Sequence, residues 1–350
     1  MTARITLLPL LAALCLLSGC RAEDQPGGNS RQAPAETPQL GAQVSFPGRI
    51  VFQSDLDGDS EIFLLTSGEL KQLTHNTWED RYPRWSPDGR RIAFSANPRG
   101  NFDIFIMDDR GENVTAVTDS PEDEVDVAWV PGQESLVYSE RRKRAFVSRF
   151  TIWVIDLNSK VKNKAIPDFD ESNQLPDVSP SDPWLAFTGK RTFGWDAVLY
   201  DWKEGKIRDL TTGGNSCRPR FSSDGQKIAY VSSEADGKGD IWTVDSDGSG
   251  RQRITKRDDA YDYFPSWSPD GDQIVFCSNY KDHYADKGEW DLYLVNVSDR
   301  TVTLLFASPG KDVFPDWQRR IVPKWIGEPL RRPRLPTWIV ESLSGPSLLR

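Results

Sequence analysis

The chain has 350 residues, 27% of them charged, and a formal net charge of −9 at pH 7. A mean hydropathy of −0.55 fits a folded, water-exposed chain and excludes a polytopic membrane protein, while the negative balance argues against nucleic acid as a partner, because phosphate binding needs a basic surface. The 26 Gly, 24 Pro, 13 Trp, 9 Tyr and 16 Phe suit many short strands joined by tight turns; with only two histidines, His75 and His283, a three-histidine metal site cannot be assembled from this chain alone.

Residues 1–19 read as a secretory signal: Arg4 supplies the charge, and the apolar run 5–17 is too short for a comfortable membrane span. The run ends in Leu17-Ser18-Gly19-Cys20, which resembles the lipobox of bacterial lipoproteins. That resemblance implies lipidation of Cys20 after cleavage, and Arg21 in place of an aspartate favours the outer membrane, facing either the periplasm or the cell surface. From 20 to 45 the chain is rich in Pro, Gly, Ala, Gln and Ser without apolar periodicity and is expected to be a flexible spacer. Cys217 and Cys277 remain beyond it; they can pair in an oxidising compartment or be plain buried residues.

A repeat organises residues 46–318. Residues 82–96 read YPRWSPDGRRIAFSA and residues 264–278 read FPSWSPDGDQIVFCS, with weaker copies between them. The positions equivalent to Trp85 are Trp129, Val178, Phe221, Trp267 and Trp317, about 46 residues apart, the spacing of propeller blades. Each unit carries four strand signals: one ending at the Trp position, a Ser-Pro-Asp-Gly turn, a buried triplet such as IAF, a strand opened by an acid (Glu61, Asp103, Asp196, Asp240 and Asp291, with Thr151 once), and an outer strand. Blade one begins at Arg49 without a Trp strand, and Trp317 ends a Trp strand that nothing follows in kind. The sequence therefore predicts an all-β fold: a six-bladed propeller of four-stranded blades, closed by a carboxyl-terminal strand that completes the first blade. Residues 319–350 form a Pro- and Trp-containing tail with seven basic and two acidic residues, expected to lie on the acidic propeller.

The PxWSPDGxxIAF pattern followed by DIF or DIW resembles the WD-like repeat of the TolB-like propellers of the Tol system, and also the propeller domains that precede prolyl oligopeptidase-type hydrolases. The chain departs from the TolB pattern in carrying the Cys20 motif and in having no globular α/β segment that can be read before the propeller. The resemblance implies a non-catalytic, exported envelope protein that docks a protein partner of a peptidoglycan-associated or Tol-like system. The alternatives are a propeller that binds carbohydrate or peptidoglycan and a propeller enzyme acting on glycans or peptides; neither a GxSxG elbow nor a conspicuous nucleophile beside either histidine supports the last.

Two sets of residues are candidates for docking. Five positions before the Trp position lie Asp80, Glu124, Asn173, Ser216, Asp262 and Asp312, where the chain enters each innermost strand. They are expected to ring the channel mouth on what we call the top face and to attract a cation or a basic segment. In the top loops, blade one offers Asp55, Asp57, Asp59 and Glu61, whereas blades three and four offer Arg141, Arg142, Lys143, Arg144, Arg149, Lys190 and Arg191. No cofactor is expected; a cation in the channel mouth is the one candidate, without a defined ligand set. The Asp55-Asp57-Asp59 spacing imitates a calcium loop but lacks its glycine and its closing glutamate, so a hairpin turn is the expectation. The four Trp are expected to pack between blades rather than to stack on a ligand.

Overall fold

The computed structural model describes residues 39–40, 46–144, 147–167, 172–257, 259–280 and 290–319, all of them in strands, turns or loops. Six antiparallel sheets form a propeller. Blade two is typical: its innermost strand, Asp80–Trp85, is followed outward by Arg91–Ala96, Asp103–Asp108 and Thr115–Ala116. In blade one the innermost strand is Val313–Trp317, paired with Ile50–Ser54 in the register Ile50 to Trp317, so strands from the two ends of the ring share one sheet, as the repeat phase requires.

The turn after each full-length Trp motif explains the tight hairpin. Ser86 Oγ lies 2.6 Å from the Asp88 carboxylate and accepts the Arg91 N–H, while Gly89 takes a φ of +68° that a Cβ would oppose. Ser222 with Asp224 and Ser268 with Asp270 repeat the arrangement.

Packing between sheets supplies the core. The Trp side chains are buried, and their indoles reach back toward the preceding blade: Trp129 Nε1 donates to Arg84 O at 3.1 Å and Trp267 Nε1 to Arg220 O at 3.1 Å. Guanidinium groups cover two of the rings, Arg49 over Trp85 and Arg91 over Trp129. These tryptophans pack blades together and offer no face to a sugar. Cys217 and Cys277 are both free thiols and fully buried.

The spacer expected to run to residue 45 contributes structure: Gln39–Leu40 adds a fifth strand to the outer edge of blade six, pairing with Phe306 and Ala307. The outermost strand of blade six, Val302–Ala307, presents an open ladder edge, and this segment pairs with two residues of it. Cys20, His283 and the tail from 320 onward lie outside the described residues.

Closure rests on Trp317, which is 0% exposed, meets Phe46 edge-on at 5.9 Å and donates its indole N–H to Pro47 O at 2.7 Å. Trp317→Ala should cost about 3–5 kcal/mol, measured as a shift in the urea midpoint. A chain ended at Gly310 should lose the cooperative transition altogether.

Candidate binding site: a channel with a floor

The channel wall comes from a repeated irregularity in the innermost strands. Three residues before each Trp position, Tyr82, Asp126, Leu175, Arg218, Phe264 and Phe314 all have φ between +55° and +58°. In each of these strands the register slips by one residue at this point, a β-bulge. Five of the six are followed by proline (Pro83, Pro176, Pro219, Pro265 and Pro315), which has no N–H to give a ladder. The bulges line the central channel together with Arg84 and Arg220. One side of the wall is aromatic: Phe314 lies 4.4 Å from Tyr82 and 3.9 Å from Phe264, centroid to centroid. Arg218 continues it, its guanidinium 4.3 Å from the Phe264 ring. Sequence reasoning did not single out these residues, although a following proline marks five of the six.

Toward the bottom face the channel is crossed by a buried ion network. Asp177 of blade four meets Arg84 at 2.5 Å, Arg319 at 3.2 Å and Arg220 at 3.6 Å, and Arg84 also reaches Asp316 at 3.3 Å. Burial alone would raise the Asp177 pKa, but Arg319, Arg84 and Arg220 together hold it down at about 2. Burial and the neighbouring Arg84 pull Arg220 down to about 9. Arg319, the first residue of the basic tail, thus spans from the closing strand to the opposite blade and helps floor the channel.

The residues expected to ring the mouth lie at the start of the innermost strands, but they are enclosed. Asp80, Glu124, Asn173, Ser216, Asp262 and Asp312 are all between 0% and 3% exposed. In place of an open ring of carboxylates they form seams between blades, each turned toward the third strand of the preceding blade. Asp80 sits against Glu61, Glu124 near Asp103, Asp262 near Asp240, and Asp312 near Asp291. The remaining two seams carry Thr151 with Asn173 and Asp196 with Ser216 in the equivalent places. A threonine recurs beside them: Thr74, Thr118, Thr211 and Thr255 each accept the N–H of the residue after the third-strand acid, as in Ile62 N to Thr74 Oγ1 at 2.9 Å.

Burial raises these carboxyl groups. It pushes Asp80 to about 7, against the hydrogen bond from Asn76 and with help from Glu61, and Asp240 to about 7 against Arg253. Glu124 and Asp262 are also raised by burial, and Asp312, enclosed with Ser54, Ser308 and Asp291, is raised well above the usual carboxylate range. Paired carboxyls that hold protons exert little of the negative potential that clustered carboxylates would.

The top loops are placed as the strand directions require. Arg141 and Lys143 both pair with Asp123, at 2.8 and 3.2 Å, Arg142 with Glu140 at 2.8 Å, and Arg191 with Asp209 at 2.8 Å. Lys190 lies over the Trp195 ring at 5.2 Å; the Arg144 side chain is outside the described set. On blade one, Asp57, Asp59 and Glu61 bring carboxylate oxygens within 4.8 Å of one another, the one such group among the described residues. Its members are tied into the loop: Asp57 accepts from Gln72, and Glu61 accepts the N–H of Asn76. His75 is an exposed loop residue.

Bulges, ion network and seams define a six-bladed propeller whose central channel is lined by the bulges and crossed by the network toward the bottom face. A family model described as the TolB beta propeller domain matches residues 147–287, and the fold is TolB-like. The Tol-Pal system protein TolB of Francisella tularensis subsp. mediasiatica is 25% identical over 230 residues, 63% of this chain and 52% of that protein. Dipeptidyl-peptidase 5 of Porphyromonas endodontalis is 25% identical over 321 residues, 80% of this chain and 44% of that protein. The chain spans about half the length of the curated relatives it matches. TolB from Acinetobacter baumannii superposes with a TM-score of 0.67 at 18% identity, over 79% of this chain and 68% of that one.

The seam carboxyls set a pH dependence. Asp80 and Asp240 hold a proton in the folded state up to a pH of about 7, whereas the unfolded chain releases it near 3.8. Their contribution to stability is full below the unfolded value and is lost as pH rises through the folded one. The urea midpoint should therefore be higher at pH 5.5 than at pH 8.5. Asp312→Asn should flatten that slope and raise stability at pH 8.5 by on the order of 1 kcal/mol.

Proposed function

We propose that the protein is a non-catalytic docking platform of the bacterial envelope, and that a segment of a protein partner enters the channel from the top face. The observation that carries this reading is the floor: what enters the top of a channel closed by Arg84, Asp177, Arg220, Asp316 and Arg319 must leave the way it came. Such a well suits binding rather than passage. Its aromatic side, Tyr82, Phe264 and Phe314, supplies contact area with little side-chain entropy to lose. Arg218 beside it favours a partner segment bearing aromatic and acidic side chains.

The likeness to Tol-Pal system protein TolB supports an exported protein and an envelope partner of a Tol-like system. Lipid attachment at Cys20 and residence at the outer membrane belong to the same reading and rest on the Leu17-Ser18-Gly19-Cys20 motif. The propeller would then be residues 46–318, held off the membrane by the spacer. The likeness to a dipeptidyl-peptidase covers 44% of that enzyme, and fold likeness alone carries no activity.

Crosslinking the native protein in its own envelope, followed by identification of what is caught, tests the reading. Arg218→Glu and Phe314→Ala should each reduce capture of the main partner by tenfold or more while leaving the thermal transition in place. Undiminished capture by both would remove the well from the account. Asp80→Asn and Asp262→Asn should change stability and leave capture unaltered, because these groups face the seams.

A further inference from the structure

Two hairpins on the top face are paired further toward their ends than the others among the described residues, and they carry a chemistry that the well does not use. In blade three the pair Ser135–Arg144 and Val147–Asp156 has ten residues per strand, and in blade four the pair Trp184–Arg191 and Gly194–Asp201 has eight. The equivalent strands of blade two have six. The ladder is thus paired four residues further in blade three and two further in blade four than in blade two, which orders these hairpins toward the top.

The two hairpins stand together. Ser172, in the connection between these blades, accepts the Phe150 N–H on its hydroxyl at 2.9 Å and the Lys190 N–H on its carbonyl at 2.8 Å. Asp123 braces the first hairpin from below by holding Arg141 and Lys143. Paired as they are, the cations stay open to solvent: Arg142, on Glu140, is 47% exposed and Lys143 63%, and Arg149 and Lys190 are exposed as well.

At the tip of the second hairpin Phe193 is 79% exposed, far more than any other large apolar side chain among the described residues. Its position is built. Gly194 and Gly214 press backbone on backbone, so that a Cβ at Gly194 would fall 2.2 Å from Gly214 O and one at Gly214 would fall 2.5 Å from the Phe193 carbonyl carbon. The Trp195 N–H donates to Gly214 O at 3.2 Å. A contact that only glycines permit holds the tip, and Phe193 points away from the body of the protein.

We propose that the described arms of these two hairpins form a docking edge for a bilayer surface rich in anionic phospholipid, with Phe193 entering the interfacial layer and Arg142, Lys143, Arg149 and Lys190 meeting headgroup phosphates. An aromatic ring leading on a convex tip, with cations set around and behind it, fits a soft planar anionic layer and leaves little for a concave protein pocket to grip. The rest of the molecule makes the assignment specific. A chain with a net charge of −9 is repelled as a whole by an anionic surface, so binding there must come from a local basic patch. Docking at this edge would tilt the top face toward the membrane on blades three and four and hold the acidic loop of blade one, across the ring, farthest from it.

The test uses the full chain carrying Cys20→Ser, so that lipid attachment at that residue cannot contribute, in cosedimentation with vesicles of phosphatidylcholine with and without phosphatidylglycerol. Binding should appear only with phosphatidylglycerol and weaken with added salt. It should fall at least tenfold for Lys143→Glu with Lys190→Glu and for Phe193→Ser, all with unchanged thermal transitions. No binding to phosphatidylglycerol vesicles overturns the proposal, and so does equal binding by wild type and both variants. If binding survives in the hairpin variants and is lost on Arg331→Glu with Arg332→Glu and Arg334→Glu, the basic tail carries it and the proposal fails. If soluble acidic proteins bind this edge and vesicles do not, the partner is protein and the proposal fails. The vesicles contain no protein, so the outcome is independent of what enters the well.

Discussion

No blade of this propeller can bury its own faces; each sheet hides one face against the blade before it and the other against the blade after it, so the seams are the core. Everything depends on the ring being complete, because an open array would leave two whole sheet faces in water. That is why Trp317, from the far end of the repeat, is as fully buried as Trp267 in the middle of it. It also explains the work of Asp316, whose carboxylate accepts the Trp85 N–H at 2.8 Å and meets Arg84. Through these two residues the closing strand is fastened to blade two as well as to its own sheet.

The same dependence explains what could be read in advance. Inter-blade packing needs one bulky ring per blade at a fixed register, and a tight turn needs its serine, aspartate and glycine; both constraints are local and leave a repeated string such as WSPDG. Fold, blade count and the closing strand follow from the phase of that string alone. The acids five positions before Trp were found by the same counting, but their direction was not. Regular alternation puts residues five apart on opposite faces of a strand. The bulge at Tyr82 and its equivalents inserts one residue, which returns Asp80 to the face that carries Trp85 and turns it toward Glu61 in the preceding blade. A left-handed backbone at a non-glycine residue leaves no composition signal of its own; only the proline after it hinted at the break. The direction of the acids and the wall of the well were hidden by that single inserted residue per blade.

Charge sorting follows from it. The bulge sends the acids into seams, where burial keeps protons on them and hydroxyls from Thr74, Thr118 and Thr255 stand beside them. The channel instead receives three arginines from two of its strands, Arg84 from blade two and Arg218 and Arg220 from blade five, with Asp177 and Asp316 as counter-charges and Arg319 arriving from the tail. Arginine suits this place because a planar, weakly hydrated guanidinium can pair with a carboxylate and lie on an aromatic ring. The formal charge of the chain therefore says little about its channel, where four arginines meet three aspartates, Asp126, Asp177 and Asp316.

The sixfold pattern is broken on one side, and both of its departures fall together. The seam between blades three and four has Thr151 and Asn173 where four others have two carboxyls, and the seam between blades four and five has Asp196 opposite Ser216. These seams flank blade four and border blade three, the two blades whose hairpins are paired furthest among the described residues and carry the exposed cations. A carboxyl pair that holds its proton near neutrality gives up that proton at higher pH and then pushes its two blades apart. The seam between these two blades contains no such pair, and the next contains a single acid whose carboxyl accepts the Gly214 N–H and lies 3.0 Å from the Thr211 hydroxyl. The loop that clamps Phe193 is thus fastened to a seam where like-charge repulsion across the blades has been removed, so the geometry of the docking edge should be less sensitive to pH than the four seams that complete the ring.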